Sequence, residues 1–264
     1  MKEQILSILP SSCPWREHLH WFESIDSTNL RAKEMAKQGA PHGTVLIAGC
    51  QTGGRGRGDR SFSSPAGAGL YLSAILRPGC PARELMHLTC LAGVAACNAV
   101  EKTCGTRPGI KWINDLILQN RKLGGILTEL SVDAKTGLVE YAVIGIGINC
   151  LQKTQDFPRE IQDMAISLRS AGISPDIPKL AAALIMQLHQ MSLQLHTPQK
   201  LMRTYRNDCI TLGREVVLTG TETQKQGTAL DVDDAGALLV RLEDGSVCAV
   251  HSGEVSVRGM YGYV

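Results

Sequence analysis

The stretch Gln-Thr-Gly-Gly-Arg-Gly-Arg-Gly-Asp-Arg-Ser-Phe-Ser-Ser-Pro, residues 51–65, carries more information than any other part of the sequence. It lies between two apolar runs, Thr44–Ala48 and Leu70–Leu76, which indicate buried strands. A polar insert of this length is typical of a functional loop rather than a tight hairpin turn. Its glycines let backbone amides approach an anion, and its arginines offer bidentate donors to a carboxylate or phosphate. A solvated basic turn without a ligand would explain the same residues.

Two common phosphate-binding motifs are absent from this loop. The sequence lacks Gly-x-x-x-x-Gly-Lys-Ser/Thr, so the loop is not a P-loop. Gly54 and Gly56 are followed by Asp59, where the dinucleotide-binding fingerprint requires a third glycine. An anion would therefore have to be bound here in some other way.

The composition narrows the class of protein. A chain of 264 residues with 44% hydrophobic residues can form one large domain, or one large domain and a small one. A net charge of +2 argues against a general nucleic-acid binder. Nine cysteines without a Cys-x-x-Cys pair are typical of reduced thiols in a cytoplasmic protein. The sequence shows no signal peptide or membrane span, and its seven histidines show no metal-ligand spacing, so we expect neither a membrane association nor a protein metal site.

The order of predicted elements indicates an α+β unit followed by a small all-β unit. The strands predicted in the first unit are Trp21–Ile25, Thr44–Ala48, Leu70–Leu76, Ile110–Ile113, Lys122–Leu130 and Val139–Ile148. Its predicted helices are Leu30–Gln38, Pro81–Cys104, Pro158–Ala171, Pro178–Leu195 and Pro198–Cys209. The second unit has short strands at Val216–Leu218, Thr228–Val232, Ala237–Leu242, Ser246–Val250 and Glu254–Val257, which favour a barrel or sandwich. We therefore predict domains at residues 1–211 and 212–264.

Several short polar patterns each have an ordinary structural explanation. Asp26-Ser27-Thr28-Asn29 before a predicted helix is typical of an N-cap, although the same groups could bind a polar ligand. Asn114-Asp115 after a strand is typical of a turn, and a lysine that begins a strand, such as Lys122, is typical of the surface. Gly124-Gly125 inside a strand indicates that a ligand or another backbone comes close.

Taken in order, these patterns resemble the biotin–protein ligases. The matching segments are Asp26-Ser27-Thr28-Asn29, Gln51-x-x-Gly-Arg-Gly-Arg57, Ser64-Pro65, Leu70-Tyr71-Leu72-Ser73, Lys111-Trp112-x-Asn114-Asp115, Arg121-Lys122-Leu123-x-Gly125-Ile126-Leu127 and Gly145-x-Gly147-Ile148-Asn149. The likeness covers residues 25–151, and the C-terminal all-β unit is similar to the SH3-like domain of the same family. Each motif alone is weak, but their joint order is specific.

The resemblance implies a fold and an activity. The fold would be a mixed β-sheet backed by helices, of the class II synthetase-like biotin/lipoate ligase type, with a small C-terminal SH3-like β-barrel. Biotin and ATP would form biotinyl-5′-AMP and pyrophosphate, and biotin would then move to a lysine of a biotin carboxyl carrier domain. Mg²⁺ would enter mainly with ATP, and a homodimer is compatible with the family. Because 25 residues precede Asp26, the chain resembles the type without an N-terminal DNA-binding domain, and we expect no DNA binding.

The resemblance also implies roles for individual residues. The implied catalytic residues are Lys122, Arg57 and Asp115. The implied biotin-binding residues are Ser27, Thr28, Asn29, Gln51, Arg55, Gly56, Arg57, Lys122 and Gly125. The implied nucleotide-binding residues are Arg55, Arg57, Phe62, Asn114, Lys122 and Asn149. Cations are needed because two like charges 4 Å apart repel by about 4 kcal/mol at an effective dielectric of 20, and both biotin and ATP are anionic.

Two residues depart from the usual family pattern, and two alternative functions stay open. Phe62 stands where tryptophan is common, so its smaller ring is expected to affect nucleotide affinity rather than activity. Ile113 stands where proline is usual, which should alter only the rigidity of the strand end. A lipoate–protein ligase shares the fold, although the Gly54-Arg-Gly-Arg57 loop favours biotin. A biotin sensor that does not turn over ATP is the second alternative.

Overall fold

The fold is built on a seven-stranded mixed sheet, seen in a computed structural model that describes residues 1–58, 60–218 and 225–251. Its strands are β1 (Leu19–Phe22), β2 (Thr44–Ala48), β3 (Gly69–Leu76), β4 (Gly109–Lys111), β5 (Asp115–Leu118), β6 (Arg121–Val132) and β7 (Val139–Asn149). The strand order is β1-β2-β3-β7-β6-β5-β4. β1 runs parallel to β2, and the other neighbouring pairs are antiparallel.

Helices cover both faces of this sheet. The α-helices are α1 (Lys2–Ile8), α2 (Thr28–Lys37), α3 (Leu88–Cys104), α4 (Ile177–Ser192) and α5 (Gln199–Asp208). On one face, α2 packs on Leu46, Ile75 and Val143. On the other face lies the main core, where α3 packs against the sheet, α4 and α5. Because both faces are covered, every residue of β2 and β3 is buried, which explains why these strands appear as continuous apolar runs in the sequence.

A second, smaller sheet follows the helices. In the described part of the chain it has four antiparallel strands: β8 (Glu215–Leu218), β9 (Lys225–Val232), β10 (Leu238–Leu242) and β11 (Val247–Val250). The predicted strand Glu254–Val257 lies outside the described residues. The α+β class, the mixed sheet with helices and the small C-terminal sheet are therefore confirmed. Closure of a barrel and the domain boundary at residues 211 and 212 stay predictions.

Three sequence predictions of local structure are wrong. Pro158–Ala171 forms no α-helix; it contains a 3₁₀ turn at Arg159–Ile161 and then an extended stretch. That stretch bonds to the start of β6, where Lys122 N donates to Met164 O at 2.7 Å and Ile166 N donates to Lys122 O at 2.9 Å. The first strand is Leu19–Phe22 rather than Trp21–Ile25, and the long helix begins at Leu88 after a separate 3₁₀ turn.

No helix among the described residues has both the length and the apolar composition that crossing a membrane requires.

Candidate functional site

A buried chain of hydrogen bonds joins the start of α2 to the loop at residues 51–65. Thr28 donates from its backbone N and its Oγ1 to Gln51 Oε1, at 2.8 and 3.0 Å. Gln51 Nε2 donates to Ser64 Oγ at 2.8 Å. Ser73 Oγ, on β3, lies 2.8 Å from Thr28 Oγ1 and 2.6 Å from Asn29 Oδ1. The chain fixes where the loop leaves the sheet relative to the start of α2.

Ser27 occupies the N-cap position of α2, but its side chain makes no capping hydrogen bond. Gln51 Oε1 instead accepts from the backbone N of Thr28, one of the donors that a helix N-terminus leaves unsatisfied. The Ser27 side chain is 1% exposed, and its backbone N donates to Asp26 Oδ1 at 2.6 Å. The predicted N-cap position is therefore correct, but the oxygen that accepts a hydrogen bond from the start of the helix belongs to Gln51 in the loop.

Two glycines of β7 leave room for the residues that meet above the sheet. Gly145 and Gly147 lie on the same face because alternate residues of a strand point the same way. A Cβ at Gly145 would collide with the Asn29 side chain, and one at Gly147 would stand 2.5 Å from the ring of Phe62. The Gly-x-Gly pattern thus lets α2 and the loop approach the sheet closely.

The loop at residues 51–65 doubles back on itself as an irregular ladder. Phe62 N donates to Gly54 O at 2.9 Å, and Gly56 N donates to Arg60 O at 2.7 Å. A Cβ at Gly54 would stand 2.7 Å from Ser64 Oγ and would collide with the Phe62 carbonyl, so the ladder requires glycine there. The ring of Phe62 packs edge-on against Tyr71, with 6.4 Å between ring centroids.

The ends of β4, β5 and β6 carry a cluster of charged groups around Asp115. Lys122 Nζ lies 2.6 Å from Asp115 Oδ1. Asp115 pairs in register with Lys111 on β4 and with Gly125 on β6. A Cβ at Gly125 would stand 3.5–3.7 Å from the Lys122 and Asp115 side chains, so Gly125 lies directly beside this pair.

Electrostatics show that this cluster carries an excess of positive charge. Burial lowers the pKa of Lys111 to about 8; Asp115 opposes this, and the nearby cations Lys122 and Arg60 lower it further. Burial also lowers the pKa of Arg57, and Arg60 adds to that effect while Asp115 opposes it. Cations that depress one another's pKa are stabilised by an anion placed between them. The cluster is therefore suited to binding a phosphate or carboxylate.

Arg55 lies apart from this cluster, on the side of the site that faces α2. Its Nη1 is 4.0 Å from Glu129 Oε1, which also pairs with Lys33 Nζ at 2.8 Å. The other carboxylate oxygen of Glu129 accepts from Asn29 Nδ2 at 3.1 Å. Asn29 also donates to Leu127 O at 3.3 Å, so its amide group is used to hold α2 on the sheet.

Asn114 and Asn149 hold the strand ends that frame the charged cluster. Asn114 Nδ2 donates to Ile126 O at 3.0 Å, which ties the start of β5 to β6. Asn149 Nδ2 donates to Ile166 O at 3.1 Å, and its Oδ1 accepts from Gln152 Nε2 at 3.3 Å. Both amides thus bind backbone of the protein, and a direct contact with a nucleotide stays a prediction.

The turn between β4 and β5 is held from outside the sheet. Trp112 N donates to Thr211 Oγ1 at 2.9 Å, and Tyr205 Oη donates to Ile113 O at 3.3 Å. The indole Nε1 of Trp112 donates to Gly236 O, in the small C-terminal sheet, at 2.9 Å. The C-terminal third of the chain therefore fixes the turn that precedes Asp115.

Comparison with known proteins agrees with this arrangement. Residues 21–149 match the biotin/lipoate A/B protein ligase family, and residues 211–258 match the biotin protein ligase C terminal domain. The bifunctional ligase/repressor BirA of Bacillus subtilis strain 168 is 36% identical over 247 residues, which cover 91% of this chain and 74% of that protein. The chain belongs to the biotin/lipoate A/B protein ligase family.

Two further relatives of this family are similar over almost their whole length. The biotin–[acetyl-CoA-carboxylase] ligase of Mycobacterium tuberculosis is 32% identical, covering 91% of this chain and 89% of that protein. The structure of the biotin protein ligase from Aquifex aeolicus in complex with biotin and ATP superposes with a TM-score of 0.78 and 28% identity. It covers 92% of this chain and 99% of that one.

Sequence reasoning missed several residues that this family fold brings into the site. Lys111 was part of the family motif but received no role, because a lysine at a strand end is ordinarily exposed, whereas here it is 5% exposed. Ser73 and Glu129 were missed because each acts through Asn29, whose partners are distant in sequence. The position of Ser73 in an otherwise apolar strand could have indicated a buried hydrogen-bond partner, because a buried polar side chain is normally hydrogen-bonded.

Proposed function

We propose that the chain is an ATP-dependent biotin–[acetyl-CoA-carboxylase] ligase. The observation that carries the proposal is the cluster of Lys111, Lys122, Arg57 and Arg60 around Asp115, within a chain whose family relatives are named biotin ligases. A reaction between a carboxylate and a phosphate needs positive charge fixed at the point where the two anions meet. The cluster supplies that charge at one end of the site.

In the first step, a carboxylate oxygen of biotin attacks the α-phosphorus of ATP, and the bond to pyrophosphate breaks. Lys122 would neutralise the oxygens of the attacking carboxylate and the α-phosphate, and Arg57 would hold the same phosphate. Lys111, buried beside them, would add a third cation. Because Lys122 is already held by Asp115, its charge would need little reorganisation during the reaction.

In the second step, the amine of a carrier lysine attacks the carbonyl carbon of biotinyl-5′-AMP, and AMP leaves. The amine must be neutral to attack. The Asp115 carboxylate contacts Lys122 and would therefore lie close to the reacting anhydride. We propose that Asp115 orients Lys122 in the first step and helps the incoming amine in the second. Mg²⁺ would arrive as MgATP, for which a carboxylate oxygen is a suitable ligand.

Biotin would lie between the start of α2 and the loop. The hydroxyl groups of Ser27 and Thr28 and the amide of Gln51 would bind biotin there, in exchange for the hydrogen bonds that Thr28 and Gln51 make to each other. Arg55 would assist from the side of Glu129. Gly56 and Gly125 leave the backbone open to close approach. The ureido ring of biotin carries donors and an acceptor that such groups satisfy.

The test is to mix the protein with biotin, MgATP and a biotin carboxyl carrier domain. Pyrophosphate release together with a gain in carrier mass of one biotin supports the proposal. Pyrophosphate release with lipoate but not biotin would identify a lipoate ligase, and biotin binding without any pyrophosphate would identify a sensor. A cytoplasmic location, a homodimer and the lack of specific binding to duplex DNA stay predictions that need separate measurements.

A further inference from the structure

Three metal-binding side chains meet at a place that the proposed reaction does not use. The Sγ atom of Cys80, a carboxylate oxygen of Glu84 and a ring nitrogen of His196 all lie within 4.8 Å of one another. Cys80 follows β3, Glu84 lies in the 3₁₀ turn at Ala82–Leu85, and His196 follows α4. The three residues come from two connections that are far apart in the sequence, so no spacing pattern could reveal them.

This cluster is remote from the charged cluster around Asp115. Gly69 begins β3 and pairs with Asn149, at the end of the sheet that carries the site. Cys80 follows the opposite end of β3, beyond Leu76. A strand of eight residues separates the two ends by about 23 Å, at a rise of about 3.3 Å per residue.

The donor set and its dimensions fit a zinc ion. Zinc binds thiolate at about 2.3 Å, imidazole at about 2.0–2.1 Å and carboxylate at about 2.0–2.2 Å, so tetrahedral ligands stand roughly 3.3–3.7 Å apart. His196 Nδ1 already lies 3.9 Å from Glu84 Oε2. To bind zinc, the donor atoms must approach one another by a further distance of about 1 Å. Glu84 and His196 can make this movement by rotating their side chains, which are 46% and 61% exposed.

The charges also match a divalent cation. Cys80 is buried, and its backbone O accepts from Val139 N at 2.9 Å, which holds the residue in place. A bound divalent cation displaces the proton of the Cys80 thiol, and the resulting thiolate and the Glu84 carboxylate together balance a charge of two.

We propose that Cys80, Glu84 and His196 form a Zn²⁺ site with three protein ligands and water in the fourth position. The ion joins the connection between β3 and α3 to the connection between α4 and α5, and it raises the stability of the native state by binding it selectively. The site does not depend on the proposed ligase function, because Cys80 follows the end of β3 opposite to the end that pairs with Asn149.

Cobalt is the probe, because Co²⁺ in a tetrahedral site with a thiolate ligand shows visible d–d bands and a sulfur-to-metal charge-transfer band in the near ultraviolet. We would titrate Co²⁺ into the full chain after treatment with a chelator, without nucleotide. One equivalent of Co²⁺ should develop both bands, and Zn²⁺ should bleach them. Zn²⁺ should also raise the Tm of the protein.

Variants assign the ligands. Cys80→Ser should abolish the charge-transfer band, and His196→Ala should abolish the tetrahedral spectrum and the Zn²⁺-dependent rise in Tm. His196 is largely exposed, so its variant should fold even if Cys80→Ser does not. Cys248→Ser removes a half-buried thiol from the C-terminal sheet and should leave both bands unchanged. No cobalt spectrum in the parent protein, or an unchanged spectrum in His196→Ala, would overturn the proposal.

Discussion

The indole nitrogen of Trp112 donates a 2.9 Å hydrogen bond to the carbonyl oxygen of Gly236, and both residues are buried. This bond joins the turn that precedes Asp115 to the small C-terminal sheet. Trp112→Phe keeps the apolar ring but leaves the Gly236 carbonyl without this donor. We expect it to lower the free energy of unfolding by about 1–3 kcal/mol, the cost of an unsatisfied buried group.

Chemical denaturation measures this change, and Trp21→Phe is the matched control. The indole of Trp21 makes a weaker, exposed hydrogen bond to Glu23 at 3.4 Å, so its loss should cost less than about 0.5 kcal/mol. Trp112→Phe should also slow the ligase reaction, because the turn carries Asp115. Equal stability of the two variants would show that the bond to Gly236 does not hold the turn.

The lowered pKa of Lys111 should make the free energy of unfolding depend on pH in a specific way. Its pKa is about 8 in the folded protein and ordinarily 10.5, so between these values the unfolded chain binds more protons than the folded one. Stability from this residue is therefore lowest below pH 8 and rises as the pH increases towards 10.5, by about 3 kcal/mol in total.

Lys111→Met removes this titration. Urea denaturation at each pH from 7.5 to 10 measures the free energy of unfolding of both proteins. We expect the value for the parent protein, minus that for the variant, to increase as the pH is raised. Titrating groups that do not interact with Lys111 are the same in both proteins and cancel in the comparison. A difference between the two proteins that stays constant over this range would contradict the assigned burial of a charged Lys111.

Phe62 predicts a selective effect on nucleotide binding. Stacking of a base on an aromatic ring is worth roughly 1–3 kcal/mol, so Phe62→Ala should weaken ATP binding roughly 5- to 150-fold. Phe62→Trp should bind ATP at least as well as the parent protein, because its face is larger. Titration calorimetry with biotin should give similar affinities for all three proteins. A parallel loss of biotin and ATP affinity in Phe62→Ala would instead indicate that Phe62 supports the loop against Gly147.

The loop at residues 51–65 predicts a pattern of proteolysis. Its glycines order at a high entropic cost, and Arg57 and Arg60 repel each other until an anion lies near them. Trypsin should therefore cut first at Arg55, Arg57 or Arg60, and biotin with MgATP should protect these sites. Lys135, in the exposed turn between β6 and β7, is an internal control that ligands should not protect. Cleavage of the loop at the same rate with and without saturating ligands would show that it does not close.

The sequence predicted the strands well where burial on both faces makes an apolar run. The observed β2 has the predicted bounds, Thr44–Ala48, and β3 extends the prediction by one residue. Pro158–Ala171 was not predictable in this way, because its backbone bonds to the distant Lys122 rather than along a helix. The local sequence pattern of a segment does not indicate a hydrogen-bond partner that is distant in sequence.

The sequence predicted residues that the structure brings close together, but it did not predict their arrangement. Family motifs named Lys122, Asp115 and Arg57, and the structure brings them together. The burial of Lys111 follows from the pairing of β4 with β5 and from the Trp112 turn, which depend on the tertiary fold. The Zn²⁺ ligands that we propose could not be predicted from the sequence, because they follow β3 and α4, which only the tertiary fold brings together.

Lys122 is expected to act chiefly when the biotin carboxylate meets the α-phosphate. Lys122→Ala should therefore lower the rate of adenylation by about 100-fold or more, as is typical of losing one preorganised electrostatic contact. Its dissociation constant for ATP should change only a few-fold, since Lys111 and Arg57 remain. Lys179→Ala is the matched control, because Lys179 also pairs with an aspartate, Asp176, at 3.1 Å on the surface.

Single-turnover formation of biotinyl-5′-AMP, followed by rapid quench with saturating biotin and MgATP, measures this rate directly. We expect rapid formation in the parent protein and in Lys179→Ala, and slow formation in Lys122→Ala at unchanged saturation by ATP. Formation at near the parent rate in folded Lys122→Ala, or no biotinyl-5′-AMP in the parent protein, would show that Lys122 does not have this role.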